Sequence, residues 1–349
     1  MAKYQISVII PTYNSEKFLD GCIQSLINQS FGFENIEVIF ADDGSNDSTP
    51  EILRDYSNRF ENVTAIFSEK NTGSPSKPRN MGIENATSDY IMFMDHDDRY
   101  FPEMCEVMYE GITAENVDIV TCRLVFNRDN KELIRERMFL DELEDVVRID
   151  SPMEMPQIMT SSHPGFIWNK IFKRELINRK HIRFPEDALY EDICFMVLSY
   201  LNAEGILLLN DFWGYCYVVR TEGENKSTSE VFDDEKLLMR LRGLEVILKE
   251  LDECEVEFPS LEGEMIAGWV KNFLFTNPKS KRSILQEAEK HYRRYKWNTR
   301  IFTIGLAFNI LLNVFMVLFR SSVSFAIFAA EFYNLLVRLG IASKSRRNS

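Results

Sequence analysis

Several things are scarce in this sequence, and each shortage excludes a class of protein. Six of the 349 residues are cysteine, none forms a C-x-x-C pair, and several sit inside apolar runs. A disulfide-scaffold protein is excluded, and buried thiols in a reducing compartment are expected. Glycine and proline number 15 and 11, too few for a collagen-like or low-complexity chain. The first apolar run, Ile6–Ile10, stops at once at Pro11, so it is too short for the core of a secretory signal. A cytoplasmic body is the expectation. An overall basic excess is also missing. The formal net charge is −14, which argues against a nucleic-acid binder, since those carry a basic footprint.

What is present is ordinary in bulk and uneven in place. Hydrophobic residues make up 45% and charged residues 27%, values of a globular chain long enough for about two domains. Residues 277–349 carry 13 Lys+Arg against 3 Asp+Glu, a net of +10. Residues 1–276 carry 27 against 51, a net of −24. A basic segment on an acidic body points to an anionic partner for that segment. The acidic body needs a metal or local cations to hold an anionic substrate.

The first 125 residues alternate short apolar runs with stretches of helical spacing. Ile6–Ile10, Ile36–Ala41, Val63–Phe67, Tyr90–Met94 and Asp118–Cys122 read as buried strands. Ser15–Gln29, Thr49–Phe60 and Pro102–Ala114 read as helices, the first with Asn14 or Ser15 as its N-cap. Such alternation predicts an α/β fold with a mostly parallel sheet sandwiched by helices. Further on, Leu189–Leu201 reads as a helix and Gly205–Leu209 as a strand. Phe232–Leu251, Leu261–Phe275 and Ser283–Tyr295 read as a C-terminal helical region.

The last segment differs in kind. Ile301–Phe319 is 19 residues without a charge, close to the length a membrane span needs. Val323–Leu339 places Glu331, Asn334 and Arg338 on one stripe among apolar residues, which suits a helix lying in an interface. Basic residues flank both stretches, and anionic lipid attracts each by about 1 kcal/mol near the surface. Membrane-associating helices are the expectation, spanning or lying flat, at the cytoplasmic face of the cell membrane. The alternative is an oligomerisation or core helix pair.

Four polar clusters interrupt the α/β pattern near strand ends, where open parallel sheets bind ligands. They are Pro11–Asn14, Asp42–Asp47, Asn71–Gly82 and Asp95–Asp98. In the last, Asp95, Asp97 and Asp98 repel one another and call for a cation. Oxygen-only ligands suit Mg²⁺ or Mn²⁺ completed by substrate phosphates. An Asp-rich turn or helix cap would read the same way. Arg79 offers a planar fork to phosphate oxygens, with Lys77 as a second cation. Tyr13 offers a face to a base. Asp43 offers an acceptor to a base imide, although Asp42-Asp-Gly-Ser45 is also a good turn.

In this order the clusters resemble glycosyltransferase family 2, the inverting, nucleotide-sugar-dependent enzymes with a GT-A fold. The resemblance rests on Ser7-Val-Ile-Ile-Pro-Thr-Tyr-Asn14, Asp42-Asp-Gly-Ser-Asn-Asp-Ser-Thr49, Arg79-Asn-Met-Gly82 and Asp95-His-Asp97. Trp168-Asn-Lys-Ile-Phe172 and Tyr190-Glu-Asp-Ile-Cys-Phe195 extend it. Nothing beyond about residue 230 contributes. It implies a GT-A-like (Rossmann-like) domain, with residues 1–125 as its nucleotide-sugar-binding half and 126–230 as an acceptor-side half holding the catalytic base. Residues 231–298 would then be the helical region and 299–349 the membrane-associating helices.

The resemblance also assigns roles. Pro11 and Tyr13 frame the nucleobase, Glu16 lies close by and Asp43 contacts the base. Arg79 approaches the diphosphate. Asp95 approaches ribose and metal, and Asp97 ligates the metal. His96, bulkier than the family's usual residue there, contacts ribose or metal. Asp192 matches the catalytic base, and Arg220 loosely matches a basic residue over the diphosphate. Trp168 stacks on an acceptor sugar or fills the core.

An acceptor hydroxyl needs a carboxylate to take its proton during attack. Asp192 beside Glu191 supplies one whose pKa a like charge would raise; acidic residues at a helix start are the alternative reading of that pair. The expected function, by the resemblance, is single transfer of a sugar from a nucleoside-diphosphate sugar of the UDP class to a hydroxyl of a lipid-linked or cell-surface polysaccharide, assisted by Mg²⁺ or Mn²⁺. The motif Q-x-x-R-W of processive relatives is absent. The competing class is a catalytically silent binding subunit tethered to the membrane. Expected partners are the donor, the acceptor, an anionic membrane through the C-terminal helices and a second copy through those same helices, with no nucleic acid.

Overall fold

The computed structural model describes residues 3–128, 132–134, 143–155, 158, 166–219, 234–256, 284 and 286. The expected helices Leu261–Phe275 and Ser283–Tyr295 lie outside these residues apart from Ile284 and Gln286, as do the loop residue Arg220 and both apolar tail segments. Among the described residues no helix is long and apolar enough to cross a membrane. The chain divides into two compact units, one of residues 1–186 and 191–224, the other of 187–190 and 225–349.

The first unit is built on one sheet. Its strands are β1 (Ile6–Thr12), β2 (Ile36–Asp42), β3 (Val63–Phe67), β4 (Tyr90–Phe93), β5 (Arg99–Tyr100), β6 (Ile119–Arg128), β7 (Glu132–Ile134), β8 (Val146–Ile149), β9 (Lys170–Lys173) and β10 (Ile206–Val219). Its helices are α1 (Leu19–Ile27), α2 (Thr49–Arg59), α3 (Ser76–Asn85), α4 (Met104–Glu115), α5 (Arg174–Arg179) and α6 (Glu191–Asn202). The sheet order is β3-β2-β1-β4-β9-β6-β10-β5, with β7 beside β6 and β8 beside β10.

The first half is wholly parallel: β1 pairs with β2 and β4, and β2 with β3. Every residue of β1 and β2 is buried, as expected of strands covered on both faces. The second half corrects the expectation of a mostly parallel sheet. β9 runs antiparallel to both β4 and β6, and β5, β7 and β8 are antiparallel to their partners. The sheet is mixed. A run such as Lys170-Ile-Phe-Lys173 announces burial through its apolar residues, but its direction is set by long-range pairing.

Two other expectations shift. The first helix begins at Leu19, with Phe18 at its N-cap and no capping side chain. Asn14 and Ser15 instead belong to the preceding turn, where Asn14 has φ +49°. Helix α3 falls where a polar cluster was read. Its Pro78 sits in the first turn, where a missing N–H costs nothing. Gly82 lets α3 approach β1 closely, because a Cβ there would stand 2.2 Å from Ile9 Cγ2.

The core between α6 and the sheet is aromatic. Phe93 meets Phe172, Phe184 and Phe195 edge to face at 5.4–5.9 Å, and Phe184 stacks on Phe195 at 4.2 Å. Each fully buried ring contributes about 1.5–3 kcal/mol. This cluster fixes the start of α6, and with it Glu191 and Asp192, against the sheet. All six cysteines are described, no disulfide joins them, and five are buried.

The second unit's described part is α7 (Asp234–Glu253) with residues 187–190. Leu237, Leu241, Leu244, Ile247, Leu248 and Leu251 give α7 one buried stripe. Leu189 donates its backbone N–H to the Met239 carbonyl at 3.0 Å.

Candidate active site

The polar clusters gather at the C-terminal ends of β1, β2 and β4, three adjacent parallel strands. At the end of β2, Asp42 accepts from Thr12 Oγ1 (3.2 Å), the Ser45 N–H (2.9 Å) and Ser45 Oγ (2.5 Å). The turn needs Gly44, whose φ is +71° and whose Cβ would lie 2.8 Å from the Asn71 nitrogen. Asp43 is buried and accepts from the Thr72 N–H (2.8 Å) and hydroxyl (3.0 Å). Burial raises its pKa, while Thr72, Gly73 and Lys77 oppose the rise. Thr72 therefore orients the carboxylate that the sequence assigns to the base.

The loop after β1 is tied to the same turn. Asn14 donates its N–H to Ser45 Oγ (2.8 Å) and accepts the Asn46 N–H (3.0 Å). Glu16 accepts the Ser48 N–H (3.0 Å) and so braces the loop. Pro11 is buried, whereas Tyr13 is 42% exposed, an aromatic surface open to a stacking partner.

The Asp95–Asp98 turn is held from three sides. Asp95 Oδ1 accepts from Arg79 Nη2 at 3.0 Å. His96 Nδ1 lies 3.2 Å from the Pro11 carbonyl. That oxygen can only accept, so Nδ1 carries the proton and a neutral ring presents Nε2 as an acceptor. Asp98 is buried, accepting from Tyr215 Oη (2.6 Å) and the Val218 N–H (2.7 Å). Burial first, then Asp97 and Asp95, push the Asp98 carboxyl well up.

The donor chemistry decides what cation this turn suits. Asp98 is turned to β10, which leaves Asp95 and Asp97, both half-buried. No group of three or more His, Cys, Asp and Glu with metal-holding geometry occurs among the described residues. Two carboxylates are insufficient for a protein-only cage but fit Mg²⁺ or Mn²⁺ completed by phosphate oxygens and water.

Arg79 links this turn to α6. Its side chain is 6% exposed, yet its guanidinium stands 3.0 Å from Asp95 and 3.6 Å from Glu191. It also lies 5.3 Å from the Phe184 ring. Two buried nitrogens, Nε and Nη1, have no hydrogen-bond acceptor. Asp95, Glu191 and Asp192 hold the pKa of Arg79 up against its burial. The cation that the sequence assigns to a diphosphate is thus already engaged by two carboxylates.

Asp192 opens the other end of this array. It is half-buried, and its Oδ1 accepts the N–H of its neighbour Ile193 at 2.9 Å. Burial raises its pKa to about 7, Glu191 adds to the rise, and Arg79 opposes it. A carboxyl with that pKa accepts a proton efficiently near neutrality. The segment before α6 is clamped by Asn80, which donates to the Phe184 carbonyl (2.9 Å) and Glu186 (3.2 Å) and accepts the Phe184 N–H (2.9 Å).

Four side chains that complete this geometry were not singled out from the sequence: Thr72, Asn80, Asp98 in its turned-away role, and Tyr215. Thr72, Asn80 and Asp98 lie inside the polar clusters read above, though without these roles, and Tyr215 lies outside all four. Trp168 resolves to its core alternative. It is buried, with Phe166 stacked at 4.3 Å and Tyr215 at 4.3 Å, which leaves no ring face for an acceptor sugar.

A mixed α/β sheet with acidic turns at its strand ends defines a GT-A-like fold, and the comparisons with known proteins agree. The profile described as "Glycosyl transferase family 2" matches residues 7–180. The chain is 31% identical over 262 residues to a cholesterol galactosyltransferase of Borreliella burgdorferi, covering 72% of this chain and 71% of that one. It is 33% identical over 228 residues to a poly(ribitol-phosphate) beta-glucosyltransferase of Bacillus spizizenii, covering 65% of this chain. It is 32% identical over 252 residues to the poly(ribitol-phosphate) beta-N-acetylglucosaminyltransferase TarS of Staphylococcus aureus, covering 72% of this chain. The chain spans only 34% and 42% of the length of those last two relatives. The crystal structure of TarS residues 1–349 with UDP-GlcNAc matches with a TM-score of 0.69 at 23% identity, covering 97% of this chain and 93% of that one. The chain belongs to glycosyl transferase family 2.

Proposed function

We propose that the chain is an inverting glycosyltransferase. It moves one sugar from a nucleoside-diphosphate sugar of the UDP class to a hydroxyl of a lipid-linked or cell-surface polysaccharide. One observation carries this reading. A single buried guanidinium, Arg79, meets Asp95 on the donor side and Glu191 on the base side. The groups for leaving-group stabilisation and for proton removal therefore adjoin. The UDP-GlcNAc held by the TarS crystal structure supports the donor class, and the poly(ribitol-phosphate) relatives support a polymeric acceptor.

In this reading Pro11, Tyr13, Glu16 and Asp43 receive the nucleoside, and His96 accepts from a ribose hydroxyl. Asp95 and Asp97 would hold a Mg²⁺ or Mn²⁺ ion, which supplies Lewis-acid stabilisation of the leaving diphosphate. Arg79 adds positive charge beside the same group. Asp192 takes the proton of the acceptor hydroxyl as it attacks the anomeric carbon from the face opposite the leaving group, so configuration inverts. The basic residues of 277–349 would hold the protein on anionic lipid, and sedimentation of the full chain with anionic liposomes checks that part.

The test is a panel of nucleotide sugars incubated with purified protein, with and without Mn²⁺, assayed for nucleoside diphosphate release. Release with one donor class, lost in Asp97→Ala, is expected. If no donor binds or is cleaved under either condition, the enzyme reading is sunk.

A further inference from the structure

The motif Trp168-Asn169-Lys170 has no part in the chemistry above, yet its side chains are unusually constrained. Lys170 is buried, and its ammonium donates to Asn169 Oδ1 at 2.8 Å and to the Phe166 carbonyl. Asn169 donates from Nδ2 to the Cys122 carbonyl at 2.5 Å and accepts the Cys122 N–H at 3.0 Å. These bonds close the 166–170 turn on itself and fasten it to β6. What the closed turn presents is a stack: Phe166 on Trp168 at 4.3 Å and 22°, then Trp168 on Tyr215 at 4.3 Å and 19°. Tyr217 lies 5.4 Å from the same indole.

Tyr215 is where the stack meets the donor turn. Its hydroxyl donates to Asp98 Oδ2 at 2.6 Å and accepts the Asp95 N–H at 3.3 Å. One hydroxyl thus ties both ends of the four-residue turn, which is also closed by the Asp98 N–H on the Asp95 carbonyl at 3.1 Å. The other Asp98 oxygen accepts from Val218 at 2.7 Å. Both oxygens of Asp98 are thereby spent on β10, while Asp95 keeps its bond to Arg79. Rotation of the Tyr215 ring would release the turn, and the stack on Trp168 blocks that rotation.

We propose that Trp168, Lys170 and Tyr215 are positioning residues of the donor site, holding the Asp95–Asp98 turn in its metal-diphosphate-receiving form through the Tyr215 hydroxyl. This rests on the donor-site reading of Asp95 and Asp97. The residues act through the turn and touch no substrate. The W-N-K motif, which begins 70 residues after the turn ends, is in this account part of the same device.

The test uses the full chain, titrated calorimetrically with UDP, GDP and dTDP in the presence of MnCl₂, with thermal melting alongside. Tyr215→Phe keeps the ring for the stack and removes only the hydroxyl. The net contribution of one buried hydrogen bond corresponds to about tenfold in an equilibrium. Affinity for the nucleotide that the wild type binds is therefore expected to fall about tenfold, with KM for the donor rising more than kcat falls. Trp168→Phe, which keeps a flat ring, is expected to bind like the wild type, while Trp168→Leu binds about tenfold more weakly. Affinity of Tyr215→Phe within twofold of the wild type overturns the proposal. Should Tyr215→Phe fail to fold, equal affinities of Trp168→Phe and Trp168→Leu overturn it instead. A wild type that binds no nucleotide removes the donor-site reading itself, and this inference with it, which is a different result from a wild type and variants that all bind alike.

Discussion

Asp95–Asp98 and Glu191–Asp192 are both runs of neighbouring carboxylates, and both touch Arg79, but the fold treats them differently. In the first run Asp95 and Asp98 receive donors from other elements of the fold. Asp95 has Arg79, and Asp98 has Tyr215 and Val218. In the second run Asp192 is given little: its hydrogen bond comes from the next residue of its own helix, and burial with Glu191 lifts its pKa to about 7. In the proposed mechanism the turn fixed by donors from other elements would hold a cation through Asp95 and Asp97, and Asp192, crowded by a like charge, would take a proton. The pKa of the buried Asp98 is pushed up as well, but its oxygens are bonded to β10. The difference teaches that adjacent acids carry no function by themselves; the donors that reach them decide it.

The sharpest way to break this comparison is to neutralise one acid in each run. Asp192→Asn is expected to lower kcat by about 10²–10⁴-fold, with nucleotide affinity near that of the wild type by calorimetry. The same substitution should stabilise the protein most above pH 7. A raised folded pKa means the native state binds more protons than the unfolded chain between about pH 4 and 7. Stability therefore falls as pH rises through that window, and the variant escapes the fall. Melting temperatures at pH 5 and pH 8 check it. Asp97→Ala is expected to give the opposite kinetic split, weakening Mn²⁺-dependent UDP binding by about a hundredfold. If both variants lose binding alike, the two runs are not functionally distinct.

A smaller effect sharpens the base side. Glu191→Gln removes the like charge beside Asp192, so the acid limb of the pH–rate profile, expected near pH 7, moves to lower pH. A limb that stays in place would mean that burial alone sets the pKa. The smallest effect concerns the scaffold of the cation side. Burial lowers the Lys170 pKa to about 7, so the unfolded chain binds more protons than the native state from about pH 7 to its ordinary value near 10.5. Wild-type stability should rise with pH across that window, and Lys170→Met should flatten the rise in denaturant titrations.

Much of the donor side was legible because its chemistry is local. Pro11–Asn14, Asp42–Asp47 and Asp95–Asp98 each put their polar groups within a few residues of a buried strand, and strands such as Val63–Phe67 were read with their observed bounds. The candidate base was legible through the pair Glu191–Asp192. What stayed hidden was long-range. The Tyr215 contact with Asp95 spans 120 residues, and the direction of β9 depends on partners on either side. Arg79 was legible as a cation, but its two carboxylate neighbours were not. Helix α3 was hidden by Pro75, Pro78 and Gly82, which read as a loop until the Gly82 contact with Ile9 supplies a reason for them.

The central claim is that Asp192 serves the proton and the Asp95–Asp97 pair serves the donor. The most direct measurement is nucleoside diphosphate release from the donor sugar as a function of pH, for the wild type and Asp192→Asn, each also assayed for nucleotide binding. The account predicts release that rises with pH through a midpoint near 7 in the wild type and is abolished in the variant, which still binds nucleotide. Release by Asp192→Asn at the wild-type rate, with the same pH profile, would contradict it.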